Sequence, residues 1–387
     1  MATPERLPGP GRGVPPPRRL DAMRVLVINA GSSSVKLRVV EGDDHLGASE
    51  DLGAPDEHLA DQLDDFVHGA GTVDAVGHRV VHGGSRFTSP VRIDDDVREA
   101  LGGLDDLDPL HNRPALAGID AASRLLTAVP QVACFDTAFH AALPREATSY
   151  AIPAEWVTRW GIRRYGFHGL SCAWSSRRAA ELLDRPADRL RLVICHLGAG
   201  ASASAVVGGR SADTTMGFTP LEGLVMATRS GDLDPGALLY ALEHGLTVPD
   251  AQHALEFGSG LLALFNGRSG DMRQILAARA RGDEPARLAV AVYLRRLRAK
   301  IAAMMAATSG TDALVFTGGV GEGSVPIRAE TCAGLDWLGV GLDGSANASV
   351  GDEDTDITAP DAAVNVLVIH AREDLQIARE CRHLLLG

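Results

Sequence analysis

Two stretches of this chain read alike: VLVINAGSSSVKLRVV from Val25 to Val40, and LVICHLGAGASASAVV from Leu192 to Val207. Each is an apolar run, a Gly/Ser turn and a second apolar run. Asn29 stands opposite His196, Gly31 opposite Gly198, and Val39–Val40 opposite Val206–Val207. A strand–turn–strand unit that returns in a chain of 387 residues, long enough for two domains, points to a duplicated domain. Chance likeness between two Gly/Ser hairpins is the competing reading.

Around these hairpins, strand-like and helix-like runs alternate, the pattern of an α/β architecture. Strands are expected at Arg24–Ile28, Leu37–Val40, Ala75–His78, Val132–Phe135, Leu192–His196, Ser202–Val207, Ala313–Thr317 and Asn365–Ile369. Helices are expected at Ala115–Ala128, Ser175–Leu183, Pro235–His244, Pro285–Ala307 and Arg372–Leu386. In the long one, Pro285 opens the helix, and Leu288, Val292, Leu294 and Ile301 are expected to form its core face. Residues 1–22, with six prolines, three glycines and four arginines, have little to bury and are read as a disordered leader. Met1 and Met23 both remain candidate starts.

Charge narrows the partners. With 37 basic against 50 acidic residues the net charge is −13, a poor match to nucleic acid or an anionic membrane. No apolar run reaches the length of a bilayer span. The five cysteines, at 134, 172, 195, 332 and 381, contain no CxxC pair, which fits a reducing, cytoplasmic setting.

Several residues could carry chemistry. The first turn, Asn29 to Lys36, offers Ser32, Ser34 and one of only two lysines in the chain. Such hydroxyls, exposed N–H groups and an ammonium can hold phosphate oxygens, although the GxxxxGK[ST] pattern is absent. The second turn (His196, Gly198, Gly200) and the loop Thr317–Glu322 (Gly318, Gly319, Gly321) are further Gly-rich candidates. Arg79 ends an apolar run and Arg229 sits in a tight loop before a helix; a guanidinium there can fork onto phosphate or carboxylate, or simply form a surface ion pair. Asp136 and Glu373 lie at or just past the ends of strand-like runs, where α/β folds place their sites. Such a sparse carboxylate set suits Mg²⁺, while a helix N-terminal acid is the plainer reading of Glu373. His168, between Phe167 and Gly169, is either a donor to a transferring group or a structural histidine, and His111 and His196 share that ambiguity.

The ordered set NAGSSSVK, GHRVVHGG, PLHN, FDTAFH, YGFHG, CHLGAG, TTMGFTPLEG, ATRSGDLDP and FTGGVGE resembles the acetate kinases. They fall within the superfamily of acetate and sugar kinases, heat-shock chaperone ATPases and actin. The resemblance implies duplicated ribonuclease-H-like (actin-like ATPase) domains with a cleft between them, 23–136 plus 374–387 and 137–373. It implies a homodimer acting on ATP and acetate, with Mg²⁺ as cofactor and Mn²⁺ as its substitute, in direct in-line transfer giving acetyl phosphate and ADP. Propionate or butyrate kinase, or a silent nucleotide-binding regulator, are the alternatives. By the same resemblance, Arg79, Asp136, His168 and Arg229 are catalytic, and Asn29 and Glu373 handle the metal. Arg79, Val81, Leu110, Phe167 and Pro220 receive the carboxylic acid, His111 and His196 flank the site, and Lys36, Ser32, Ser34, His196, Gly198 and Gly200 face phosphates. Asp271, Met272, Arg273, Gly318, Gly319 and Gly321 belong to the nucleotide side. Ala199 stands where the family usually has Asn, Ala227 where it has Gly, and Met272 where an aromatic neighbours adenosine.

Overall fold

A computed structural model describes residues 23–31, 34–54, 58–104 and 109–387, apart from the side chains at 43 and 109–111. The leader expected at 1–22 lies outside these residues. Among the described residues, twelve strands build two six-stranded sheets. The first contains β1 (Val25–Ala30), β2 (Val35–Val40), β3 (Leu46–Leu52), β4 (Ala75–Val80), β5 (Val91–Arg92) and β6 (Gln131–Phe135). The second contains β7 (Arg191–Leu197), β8 (Ala201–Val207), β9 (Arg210–Thr214), β10 (Ala313–Thr317), β11 (Thr355–Asp356) and β12 (Asn365–Val368).

The spatial orders are β3-β2-β1-β4-β6-β5 and β9-β8-β7-β10-β12-β11, one topology used twice. In each, an antiparallel meander feeds a parallel trio, β1-β4-β6 or β7-β10-β12. The trio strands are covered on both faces, which is why they read as unbroken apolar runs; every residue of β6 and β10 is buried. The repeat seen in the sequence is therefore a real duplication, with one correction. Val25 pairs with Val40 but Leu192 pairs with Val206, because four residues separate β1 from β2 and only three separate β7 from β8. The counterpart of Val40 is Val206, not Val207, and Lys36 and Ser202 hold equivalent places opposite Asn29 and His196.

Six helices matter to the site: α1 (Leu59–Ala70), α2 (Pro109–Leu125), α3 (Gly169–Leu182), α4 (Glu284–Ala307), α5 (Gly318–Gly323) and α6 (Glu373–Leu386). Helices α3 and α6 run between the sheets. Leu170 and Trp174 of α3 and Leu375 and Ile377 of α6 share one core with Val25, Val27 and Cys134 on one side and Leu192, Ile194 and Val315 on the other. The C-terminal helix α6 lies against β1 and β4, so the end of the chain packs on the first sheet. Helices α1 and α2 cover that sheet's opposite face through Leu59, Leu63, Phe66, Ala121 and Ala122. Helix α4 opens as expected, with Asp283 accepting from Ala286 N–H at 3.0 Å and Pro285 in the first turn. Its core face is rotated from the expected one: Leu288 is exposed and Val292 half-buried, while Ala286, Ala289, Val290, Tyr293, Leu294, Leu297 and Ile301 pack inward. All five cysteines are buried and free. Among the described residues no helix is long and apolar enough to cross a membrane.

Candidate active site

Parallel strands end together, so the carboxyl ends of β1, β4 and β6 bring Asn29, Arg79 and Asp136 side by side. Glu373, opening α6, joins them from 344 residues away. Arg79 forks onto Asp136, Nε to Oδ1 at 3.1 Å and Nη2 to Oδ2 at 2.6 Å, and its Nη1 reaches Asn29 Oδ1 at 3.3 Å. Asn29 Nδ2 donates to Glu373 Oε2 at 3.0 Å, and Arg79 Nε lies 3.7 Å from the same oxygen. The Asp136 carboxylate is almost wholly buried; its charge is tolerable because the guanidinium satisfies both oxygens.

His168 sits at the head of α3 with a left-handed φ of +58°, a conformation that costs energy in a residue with a Cβ and recurs at functional sites. Gly169 makes it feasible: its N–H donates to Asp136 O at 2.9 Å, and a Cβ on Gly169 would fall 2.1 Å from that oxygen. The His168 ring stacks on His196 with centroids 4.2 Å apart. Each Nδ1 has a serine partner, Ser202 Oγ at 3.0 Å for His168 and Ser171 Oγ at 2.8 Å for His196. Burial, followed by His196, Arg79, Arg229 and His140, pushes the His168 pKa well below the ordinary value, and burial lowers His196 too. Both rings are thus neutral at pH 7. When Ser202 donates to Nδ1, the neutral His168 ring carries its proton on Nε2.

Arg229 comes from the loop between β9 and the helix Pro235–Glu243. A Cβ placed on Gly200 would lie 3.3 Å from His168 Nε2 and 3.8 Å from Arg229 Nη1, so the second hairpin turn, His168 and Arg229 enclose one space. Arg79 and Arg229 both act on His168. Two guanidiniums, one at the end of β4 and one in the loop after β9, therefore both lie near His168. The two small replacements also meet, for Ala227 N–H donates to Ala199 O at 3.0 Å.

The residues expected on the acyl side come from separate segments of the chain. Val81 and Phe167 are buried in one cluster, and the His82 ring meets Phe167 edge-on at 5.4 Å. Buried His140 donates from Nε2 to Phe167 O at 3.0 Å, and Pro220 is half-buried in the loop after β9. Leu110 and His111 lie in the first turn of α2, which Asn112 pins to His82 through its Oδ1 (3.1 Å) and Nδ2 (3.2 Å).

On the nucleotide side, Lys36 is exposed across from Asn29, Ser34 is half-buried in the turn, and Ser32 lies outside the described residues. Gly198 N–H closes the second turn onto Gly200 O at 2.9 Å. Gly318, Gly319 and Gly321 belong to α5, directly after β10, where Glu322 accepts from Gly318 N–H (2.7 Å) and Ala371 N–H (2.9 Å). Asp271 caps the helix Met272–Ala280 and pairs with exposed Arg273 at 2.7 Å, while Met272 is buried in the core. Sequence reasoning passed over Ser171, Ser202, Asn112 and Glu322 individually, although each falls inside or beside a motif it singled out.

Metal capacity is narrow. Among the described residues no group of three or more His, Cys, Asp and Glu could hold an ion. What exists is the Glu373 carboxylate beside the Asn29 amide. Burial opposes the Glu373 charge, yet Arg79, His196, Asn29 and Lys36 outweigh it and hold the pKa below the usual carboxylate value. One ionised carboxylate and one amide fit Mg²⁺, which keeps several waters and takes substrate oxygens.

Comparisons with known proteins bear on the family and the fold. The acetokinase family model matches residues 56–379. An acetate kinase of Thermotoga maritima is 42% identical over 94% of this chain and 99% of its own length. One from Synechococcus is 49% identical over 82% of this chain and 78% of its own. Among solved structures, Porphyromonas gingivalis acetate kinase superposes with a TM-score of 0.86 at 35% identity, covering 95% of this chain and all of that one. A propionate kinase from Francisella tularensis gives 0.86 and 35%, over 92% of this chain and 98% of its own. The motifs, the doubled topology and the two-arginine cleft meet in one conclusion: this chain belongs to the acetokinase family.

Proposed function

We propose that the cleft transfers the γ-phosphoryl group of ATP to acetate, reversibly, giving acetyl phosphate and ADP. The observation that carries this reading is the convergence of Arg79 and Arg229 on His168, in a fold that buries the apolar side chains of Val81 and Phe167 in one cluster. Acetate is already ionised at neutral pH, so its oxygen attacks phosphorus without a base. The bond from phosphorus to the bridging oxygen breaks in line, and ADP leaves with the electron pair. What this transfer needs is alignment and neutralisation of the equatorial oxygens. Arg79 and Arg229 supply charge, neutral His168 donates a hydrogen bond from Nε2, and Asp136 fixes the orientation of Arg79.

Asn29 and Glu373 would hold Mg²⁺, or Mn²⁺ in its place, which when bound offsets charge on the nucleotide phosphates. Val81, Leu110, Phe167 and Pro220 form the methyl pocket. Lys36, Ser32, Ser34, His196, Gly198 and Gly200 serve the phosphates, and Asp271, Met272, Arg273, Gly318, Gly319 and Gly321 the nucleoside. The domains divide at 23–136 plus 374–387 and 137–373, a reading supported by α6 packing on the first sheet. A homodimer is supported by the exposed apolar side chains Trp156, Trp160, Leu239, Tyr240, Val248 and Phe257 on helices of the second lobe; light scattering tests it.

The similarity to a propionate kinase structure keeps propionate as a second substrate, because one methylene in an apolar pocket is worth only about 1–3 kcal/mol. A hydroxamate assay with ATP, Mg²⁺ and acetate, propionate or butyrate ranks the acids by kcat/KM. Product with none of them would overturn the proposal.

A further inference from the structure

We propose that a half-buried Tyr150–Glu222–Arg164 network sets the acyl-chain length this enzyme accepts, by clamping the loop that carries Pro220 against the segment that carries Phe167. The inference rests on the reading above that Val81, Phe167 and Pro220 receive the acyl group.

The loop 215–223 leaves β9 and is tied to the 164–167 segment along its length. Arg164 Nη1 donates to Thr215 O at 3.1 Å and Met216 O at 2.9 Å, and Nη2 donates to Glu222 Oε1 at 2.6 Å. Tyr150 donates its hydroxyl to Glu222 Oε2, and the phenolic oxygen of Tyr150 in turn accepts from Phe218 N–H at 3.0 Å. Tyr165 N–H and Gly166 N–H reach back to Gly217 O at 3.0 and 3.3 Å. The Phe218 ring lies 6.1 Å from Tyr165, which itself meets His82, the residue after Val81, at 4.6 Å. There is no slack at the crossing point: a Cβ on Gly217 would fall 1.8 Å from Glu222 Oε2 and 2.2 Å from Tyr150 Oη. One guanidinium and one carboxylate thus join two walls of the acyl pocket, one residue away from Tyr165-Gly166-Phe167.

Shape discrimination by a methylene requires walls that do not yield, since a wall free to move admits the longer acid at little cost. The network is saturated with partners, and burial together with Glu222 raises the Tyr150 pKa, so the phenol stays a donor. None of its three side chains is assigned a contact with reacting atoms. They are positioning residues.

Tyr150→Phe keeps the ring and removes both hydrogen bonds of the hydroxyl, and Glu222→Gln is a second, nearly isosteric loosening. For each variant, kcat and KM are measured with acetate, propionate and butyrate, together with KM for ATP; Val81→Ala is run alongside. The expected result is a rise of about fivefold in KM for acetate and a similar rise in the propionate-to-acetate ratio of kcat/KM, the worth of about one hydrogen bond. With acetate, kcat and KM for ATP stay within about twofold. If Val81→Ala shifts the ratio and both network variants leave it unchanged, the pocket stands and the clamp is refuted. If none of the three shifts it, the pocket reading falls and takes the clamp with it. An equal loss of kcat for every acid would mean general structural damage and would also overturn the proposal.

Discussion

Removing the Arg79 guanidinium separates two roles that the geometry superimposes. The side chain satisfies both oxygens of Asp136, at 3.1 and 2.6 Å, and also reaches Asn29. In Arg79→Ala the Asp136 carboxylate, 1% exposed, loses the guanidinium that bonds both its oxygens. Breaking one side of such a pair costs about 3–5 kcal/mol of stability. Losing a donor aimed at the transferring phosphoryl group lowers kcat about 10²- to 10³-fold. The double variant Arg79→Ala/Asp136→Asn also neutralises the buried carboxylate, with a nearly isosteric amide at 136. Urea unfolding should show most of the lost stability recovered in the double variant, while the hydroxamate assay shows kcat still depressed by at least about 10²-fold. If kcat returns along with stability, Arg79 acts only through folding. If Arg79→Ala alone keeps kcat within about threefold, the electrostatic account of transfer is wrong.

Three further outcomes are expected. Gly200→Ala places a methyl 3.3 Å from His168 Nε2 and 3.8 Å from Arg229 Nη1; kcat should fall at least about tenfold with the unfolding midpoint nearly unchanged, and full activity would show that the phosphoryl group passes elsewhere. Glu373→Gln removes the ionised ligand held beside Asn29, so half-saturation should need at least about tenfold more Mg²⁺, read by titrating the metal at fixed ATP; an unchanged requirement would exclude the residue from the metal. Burial pushes His78 and His140 down to about 4 from 6.5. A histidine whose folded pKa is lowered contributes fully above the unfolded value and loses that contribution as pH falls, so urea midpoints should decline from about pH 6.5 toward 4 and be flat for these groups above it; the Gln131 hydrogen bond on His78 only moderates the shift.

How much of this was legible in the sequence follows from where each residue sits. Trio strands, covered on both faces, announce themselves as apolar runs, and all were recognised. The strands passed over were β3, β5, β9 and β11, which are the four sheet edges. An edge strand pairs on one side only and turns polar side chains outward, as Leu46–Leu52 does with its mostly exposed pattern, so its composition is that of a loop. Leu288 was misplaced for a related reason: α4 packs through alanines as much as leucines, and Ala286 and Ala289 mark its buried face.

The site divides in the same way. Local motif chemistry singled out Asn29, Arg79, Asp136, His168, Arg229 and Glu373 as candidates, because each lies in a short run whose composition is unusual. Sequence determined the doubled fold and those candidate groups, since apolar periodicity and turn chemistry act over a few residues. Tertiary structure alone brought Glu373 to Asn29 across 344 positions, matched each histidine with its serine, and joined Arg164 to Glu222. Those pairings depend on which strand ends are neighbours and on the single-residue difference in hairpin length, and charges interact through space, not along the chain.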